Sequence, residues 1–541
     1  MGSFVTLAIY GLGAYCLRLL YLLYCSARRQ PGLPPGPPTW PFIGNIHIFP
    51  TEQLQYKFTE WAKIYGDIYS LKVMHLTIIV LNSPTAVRDI IDKRGPISSS
   101  RPASVMTEIV TPDSVNLGSA RHANKTWRTL RRAAVHMLRP ENMDGFMPLQ
   151  RAEAAQLMWE LSTNPDSFYE DICRFTTSFF MSVIYGVRAP RATCHAAREF
   201  SETQEEFVAS MEVGKAPPVD VFPVLNWVPR RFANWKRRAY RLRTRQEALF
   251  SYLQDIVAAR IARGAHNGAF MEEAKSRADE WGLTPRLLLH LGGALLEGSD
   301  TTASVVQGFV LILSAYPAVQ KYAHQEMDAV VGIDEPPKFD DLQRLPYMRA
   351  ILDEYLRFRP IAPLTLPHAM AEDDMYNGML FPTDAIIFTN MWAITHDERY
   401  FDEPDKFIPE RFMHDQFGIR PGVQDDPARR ENLMFGGGRR ICPGAYTARM
   451  LLEINLANFI WAFEFSPGLD PCSGQAIPPD LWNYKNGISL APEKFRATIT
   501  VRSPEKKEII RRHFVEQSPI LQPFEQDLHP EDLDFVRHTR K

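Results

Sequence analysis

One cysteine in this chain stands where a reactive thiolate would be placed. The stretch Phe435-Gly-Gly-Gly-Arg-Arg-Ile-Cys-Pro-Gly444 puts Cys442 at the end of a glycine-rich turn, just ahead of an apolar helical run (Met450, Leu451, Leu452, Ile454, Leu456, Ile460). A thiolate at a helix N-terminus is stabilised by the helix dipole and by free backbone N–H groups. The three glycines permit unusual φ angles and let the backbone come close to something flat. Arg440 adds a positive charge beside whatever sits there. Together these meet the needs of a haem iron held by a cysteine thiolate.

Three further constellations carry chemistry. Thr284-Pro285 is a capped helix opening, and the spacing predicts one long helix from there to about Tyr316, ended by Pro317. Its middle holds Gly298-Ser-Asp-Thr-Thr302, all poor helix-interior residues, flanked by Leu295, Leu296, Val305 and Val306. Polar residues that defy local propensity inside an apolar helix mark a functional site. Glu354 and Arg357 lie at i and i+3 on one helix face, followed by Phe358-Arg-Pro360 and, about fifty residues on, by Pro409-Glu-Arg-Phe412. Trp127 and Arg131 share one helix over His122–Leu138, and His368 stands in Leu366-Pro-His-Ala369.

These motifs, in this order, resemble the cytochrome P-450 family over roughly residues 34–501. The cysteine stretch matches F-x-x-G-x-R-x-C-x-G at every fixed position, with Phe435, Gly438, Arg440 and Cys442 among them. The resemblance implies a mainly α fold with a small β portion: a single large haem domain behind an N-terminal transmembrane anchor. It implies haem b (iron protoporphyrin IX), with Cys442 as the axial iron ligand. Glu354, Arg357 and Arg411 would form the family's Glu-Arg-Arg triad, which supports the core behind the haem. Trp127, Arg131, His368 and Arg440 would meet the haem propionates, since buried carboxylates need cationic donors. The polar patch matches A/G-G-x-D/E-T-T/S, in which Thr301 hydrogen-bonds the bound oxygen and Asp300 feeds protons through water. One position departs: Glu297 replaces the small residue, adding a polar group to the helix groove. Substrate contacts would come from Met106, Ile109 and Val110 in an irregular loop, Leu295 and Glu297 on the central helix, Leu364, and Ile488. These residues are mostly apolar and suit a lipophilic molecule.

The implied activity is mono-oxygenation, the insertion of one oxygen atom from O2 into a lipophilic substrate. Pro223-Val-Leu-Asn-Trp-Val-Pro229 and the Pro367–Asp374 stretch are most similar to fungal microsomal members that tailor alkaloids, polyketides or terpenoids. No flavin or nicotinamide fingerprint is present, so electrons must come from a partner. The resemblance points to the NADPH–cytochrome P-450 reductase, so NADPH acts indirectly, and leaves room for cytochrome b5. Arg128, Arg132 and Arg439 would offer that partner a basic face. Two rival functions follow from the same motifs: a haem-thiolate isomerase or dehydratase needing no reductase, and a membrane haem-binding sensor without turnover.

The elements that must position these residues set the rest of the reading. The 541-residue chain is 45% apolar and 23% charged, ample for one large core, and its net charge of −2 argues against nucleic-acid binding. Six scattered cysteines without a C-x-x-C pair suit a reducing compartment and give no zinc site. Phe4 to Cys25 is apolar enough to span a bilayer, interrupted by Arg18 and followed by Arg28 and Arg29. With no basic start, it reads as a retained single-pass anchor and not a cleaved signal. The basic flank puts the N-terminus in the lumen and the catalytic part in the cytosol, and the resemblance names the endoplasmic reticulum membrane. Residues 1–27 are then the anchor, 28–45 a proline-rich hinge, 46–501 the monooxygenase domain and 502–541 a C-terminal extension. Between them the pattern predicts a helix over Glu52–Tyr65, a strand pair over Ile68–Leu81, a helix over Pro84–Lys93, irregular chain over Ser98–Asn116, and short strands over Asp374–Asn390. The extension is charged and apolar by turns, and its sequence alone leaves open whether it packs or moves.

Overall fold

The computed structural model describes residues 2–212 and 215–540. It is mainly helical, with three small sheets among the described residues. The first helix, α1 (Gly2–Ala27), projects with its described side chains exposed almost throughout, and Ile9–Ala27 is long and apolar enough to cross a membrane. The proline-rich stretch after it is pinned, not loose. Arg29 donates to Pro34 O (2.6 Å), to Ser70 Oγ (2.6 Å) and to Ser70 O (2.8 Å). Asn45 Nδ2 donates to Pro38 O at 2.9 Å.

The expected strand pair forms as β1 (Ile68–Val73) and β2 (Leu76–Leu81), antiparallel. Two more short strands are β3 (His368–Ala369), then, beyond the hairpin β4 (Asp374–Tyr376) and β5 (Met379–Phe381), β6 (Ile386–Thr389). The sheet order is β1-β2-β6-β3, with β2 and β6 parallel. This sheet fixes His368, because β3 pairs with β6.

The helices surround one large apolar cluster built mainly from Met147–Thr163, Phe168–Tyr185, Ser299–Ala315, Pro346–Phe358 and Ala445–Ala462. Two sequence expectations need correction, and a third holds with a local change. The helix expected over His122–Leu138 starts at Lys125, because Asn124 Oδ1 caps Thr126 N at 2.8 Å. The stretch read as irregular carries a short helix, Val105–Val110, whose N-cap is Ser104; one capped turn is too short to show periodicity. The expected long central helix forms over Pro285–Ala315, its segments Pro285–Leu296 and Ser299–Ala315 joined through Glu297-Gly298 with helical dihedrals and only a local change in the hydrogen-bond ladder. There the ladder tightens: Gly298 N bonds Leu295 O at 3.2 Å, while Thr301 Oγ1 takes Gly298 O at 3.2 Å. The Thr301 hydroxyl competes there for a backbone carbonyl, at the residues of weakest helix propensity.

The C-terminal extension packs. Its helix Pro504–Leu521 lies along Met147–Thr163, with Ile510, Phe514 and Leu521 buried and Phe514 stacked on Trp159 at 5.1 Å. A second helix, Pro530–Thr539, follows.

Candidate functional site

Cys442 is held by its own loop. Its N–H bonds Phe435 O at 2.9 Å, closing the turn, and the helix Ala445–Ala462 begins three residues later. Gly437 and Gly438 serve a close approach, but to protein. A Cβ on Gly437 would lie 2.5 Å from Asp92 Oδ1, and one on Gly438 (φ +56°) 2.4 Å from Ile91 O. Asp92 ties the loop down by accepting Gly438 N at 2.7 Å and Arg430 Nη1 at 2.6 Å. Burial pushes the Cys442 thiol up, while the Gly444 N–H and the Arg131 charge pull it down. Cys442 lies deep and yet keeps accessible surface, so it lines an internal space.

The central helix carries the next expected residues. Thr301 is the only exposed residue of Ser299–Ala315, whose other members are buried or half-buried. Asp300 is turned elsewhere. Burial raises its carboxyl, Lys485 lowers it and Glu205 raises it further, and it makes no ion pair among the described residues.

The propionate donors expected from sequence gather in one wall, with one addition. Arg440 donates to Ser99 O at 2.9 Å and to Ala120 O, and its guanidinium lies 3.9 Å over the Trp127 ring. Arg131 donates to Ile441 O at 2.5 Å. Trp127 Nε1 donates to Leu117 O at 3.1 Å, so its face, more than its N–H, serves the wall. His368 Nδ1 meets Ser98 O at 2.9 Å. Arg101, which sequence reasoning missed, donates to Gly118 O, Leu366 O and Pro367 O, each at 2.8 Å. A lone arginine before a proline carries no local signal of such a role.

This wall tests whether haem fits. Arg101 is buried and Arg131 and Arg440 are half-buried, all three with backbone carbonyls as partners, and none has a carboxylate within ion-pair range among the described residues. Burial, then Arg101 and Arg131, bring Arg440 down to about 8. Burial brings Arg101 down to about 10, and burial with Arg101 and Arg440 brings His368 down to about 3. Ser99 Oγ is buried in the same wall without a partner. Clustered buried cations require anions. A flat group with two carboxylates at one edge and a thiolate-seeking metal at its centre matches both the wall and Cys442.

The triad assembles behind the site. Arg357 Nε and Nη2 hold Glu354 Oε2 and Oε1 at 2.7 and 2.8 Å, and Arg411 Nε lies 3.5 Å from Glu354 Oε1. Ile408 N also donates to Glu354 Oε1 at 2.8 Å, and Arg357 reaches the carbonyls of Thr395, Pro404 and Lys406.

The expected substrate residues divide. Glu297 lies deep and keeps accessible surface, and Ile488 is half-buried in its turn. Met106 and Val110 are packed with Phe207, Val219, Ala239 and Leu242, with Ile109 against that cluster. Leu364 packs beside Phe58 and Val80. Leu295 faces a cavity of about 310 Å³ lined also by Leu138, Phe180 and Phe270.

The profile of the cytochrome P-450 family matches residues 34–497. A cytochrome P-450 monooxygenase of Armillaria gallica is 38% identical over 510 residues, covering 94% of this chain and 96% of that one. The cytochrome P-450 monooxygenase acuD of Aspergillus aculeatus is 33% identical over 521 residues (94% and 96%), and patI of Aspergillus clavatus 34% over 515 residues (94% and 96%). The chain belongs to the cytochrome P-450 family. It is a monooxygenase of that family, and these relatives are fungal.

Proposed function

We propose that this protein is a membrane-anchored haem-thiolate monooxygenase that oxidises a lipophilic secondary-metabolite intermediate with electrons from an NADPH-dependent reductase. The observation that carries this is the pairing of Cys442, at its helix N-terminus, with a wall of three buried or half-buried guanidiniums that have no carboxylate partner among the described residues. In this reading Cys442 holds the iron, and Arg101, Arg131, Arg440 and His368 hold the propionates, with Trp127 as the platform under Arg440. Bound there, haem supplies the oxygen chemistry, with the thiolate ligand favouring O–O cleavage. The protein's part is orientation and proton control. Thr301, on the exposed face of the central helix, positions a proton donor over the reacting space. Asp300, raised by burial and turned toward Lys485, passes protons inward from that side. The buried apolar residues around them exclude bulk water.

Domain limits follow the same reading: anchor 1–27, hinge 28–45, catalytic domain 46–501, extension 502–541. A cytosolic domain lying on the endoplasmic reticulum membrane is supported by α1 and by an exposed apolar group at Val224, Trp227 (82% exposed) and Phe232, flanked by Arg230 and Arg231. Nearby Val221 packs against the cluster that includes Ile46 and Phe49, so this group lies on the side where the anchor enters.

The test is reconstitution of the full chain with haem, reductase and NADPH. We expect a thiolate-type carbon monoxide spectrum that Cys442→Ala abolishes. Thr301→Ala should keep the spectrum and NADPH oxidation but divert most electrons to hydrogen peroxide. Unchanged coupling in Thr301→Ala would remove its assignment. Product formed without reductant would favour the isomerase reading, and a complete spectrum with no oxidation of any substrate class would favour the sensor.

Lys125, Arg128, Arg132 and Arg439 are exposed and have no acidic partner within ion-pair range among the described residues. Three of them share one helix face, and Arg439 contacts His122 just before that helix. Reversing Arg128 and Arg132 to Glu should raise the reductase concentration for half-maximal rate about tenfold at low salt and flatten the salt dependence. An unchanged salt response would place the docking face elsewhere.

A further inference from the structure

The central helix breaks the family pattern at one residue, and that residue is at the site. Glu297 and Gly298 both keep helical dihedrals (φ −53° and −65°), so Glu297 stands one turn before Thr301 on the same face. Its carboxylate has no cation within ion-pair distance among the described residues. Its partner there is Asn116 Nδ2, 3.3 Å from Oε2 and 3.5 Å from Oε1. Those contacts are long, and one N–H group facing two oxygens leaves most of the carboxylate's acceptor positions unfilled.

Asn116 cannot swing away. It is 5% exposed, and its Oδ1 accepts Gly118 N at 2.9 Å, Ser119 N at 3.0 Å and Ser119 Oγ at 3.1 Å. These bonds fix which end of the amide faces Glu297. Burial holds the Glu297 carboxyl up at about 7, opposed only by Asn116. A deep carboxylate kept with so little compensation, on the face of the reacting threonine, is costly unless a ligand completes it.

We propose that Glu297, oriented by Asn116, receives a hydrogen-bond donor on the substrate, so that the preferred substrate is a lipophilic molecule bearing a hydroxyl or amine within reach of the reacting face. The inference rests on the haem-thiolate reading above. A site built around an acceptor rejects the analogue whose donor is capped, because the acceptor is then left buried and unpaired.

The test uses the full-length haem-loaded protein and N-alkylimidazoles of three to eight carbons, ending in hydroxyl, ammonium or methyl ether. The imidazole nitrogen ligates haem iron and shifts its absorption band, so binding is read without turnover. At one or two chain lengths the hydroxyl or ammonium probe should bind about ten- to hundredfold more tightly than the methyl ether. That gain should fall to within about twofold in Glu297→Leu, while plain butylimidazole binds as before. Glu297→Gln separates the two donors: an ammonium gain should vanish, and a hydroxyl gain should persist in part. No preference above twofold at any length, or a preference that survives Glu297→Leu, overturns the proposal. Equal loss of butylimidazole affinity in Glu297→Leu and Asn116→Ala also overturns it, since the pair is then a strut. If no probe shifts the band of the parent protein, the haem-thiolate reading itself fails.

Discussion

A chain ending at Val501 should accumulate as insoluble or haem-free protein, although it keeps the whole segment matched by the family. The reason is a charge network that the extension completes. Glu153 and Glu160 receive Arg174 at 2.9 Å each, Glu153 also receives Arg188 at 2.9 Å, and Arg188 reaches Glu525 at 2.7 Å. Arg540 closes on Glu525 from the other side, while Arg260 holds Asp527 at 2.8 Å. Arg174 and Arg188 are fully buried, as is Glu153. Truncation leaves Arg188 and Arg260 short of a carboxylate and strips Phe514 and Leu521 from the core. Breaking one buried pair costs about 3–5 kcal/mol, and a domain's whole stability is about 5–15 kcal/mol. Glu525→Ala isolates the charge term from the lost apolar contacts. It should lower the unfolding midpoint by several degrees and the haem-loaded yield several-fold, measured by thermal unfolding and by the ratio of haem to protein absorbance. A truncated chain of normal yield and unchanged midpoint would show that the extension merely rests on the surface.

How much of this was legible in the sequence varies with the range of the interaction. The strand pair at Ile68–Leu81 and the short strands after Asp374 formed as alternation and turn residues predict, because those signals are local. The triad residues and the wall residues Trp127, Arg131, His368 and Arg440 come together as the motif order implied. The local change at Glu297-Gly298 was half legible: the residues looked wrong for a helix interior, yet the flanking apolar period ran through them. Arg101, Asn116 and Asp92 were not legible at all. Each acts through partners far away in the chain, such as Asp92 on Gly438 or Arg101 on Leu366. The fate of the extension was undecidable for the same reason, since Glu525 acquires its meaning only from Arg188. Of the three glycines expected to approach something flat, Gly437 and Gly438 approach the Asp92 carboxylate and the Ile91 carbonyl, while nothing lies within 4 Å of a Cβ on Gly436. Those neighbours explain why Gly437 and Gly438 tolerate no Cβ, whatever lies beyond Cys442.

The second large effect is expected at Glu354. This carboxylate is fully buried and takes donors from Arg357, Ile408 N and, at longer range, Arg411. Arg357 in turn fastens the carbonyls of Thr395, Pro404 and Lys406, so one ion pair joins the helix Pro346–Phe358 to the chain that leads toward the cysteine loop. Glu354→Ala strands two arginines, one of them almost fully buried; Arg357→Ala strands the carboxylate and three carbonyls. Either loss should cost about 3–5 kcal/mol. Both proteins should therefore carry less than about a tenth of the normal haem, read by the carbon monoxide difference spectrum against total protein. Arg357→Lys separates charge from geometry. Lysine keeps the charge but offers a point donor in place of the planar fork, so it cannot hold both carboxylate oxygens and three carbonyls together. Its haem content should stay nearer to that of the alanine variant than to the parent. Parent-like haem content in Arg357→Lys would mean that charge alone suffices, and normal content in Glu354→Ala would remove the triad from any part in supporting the site.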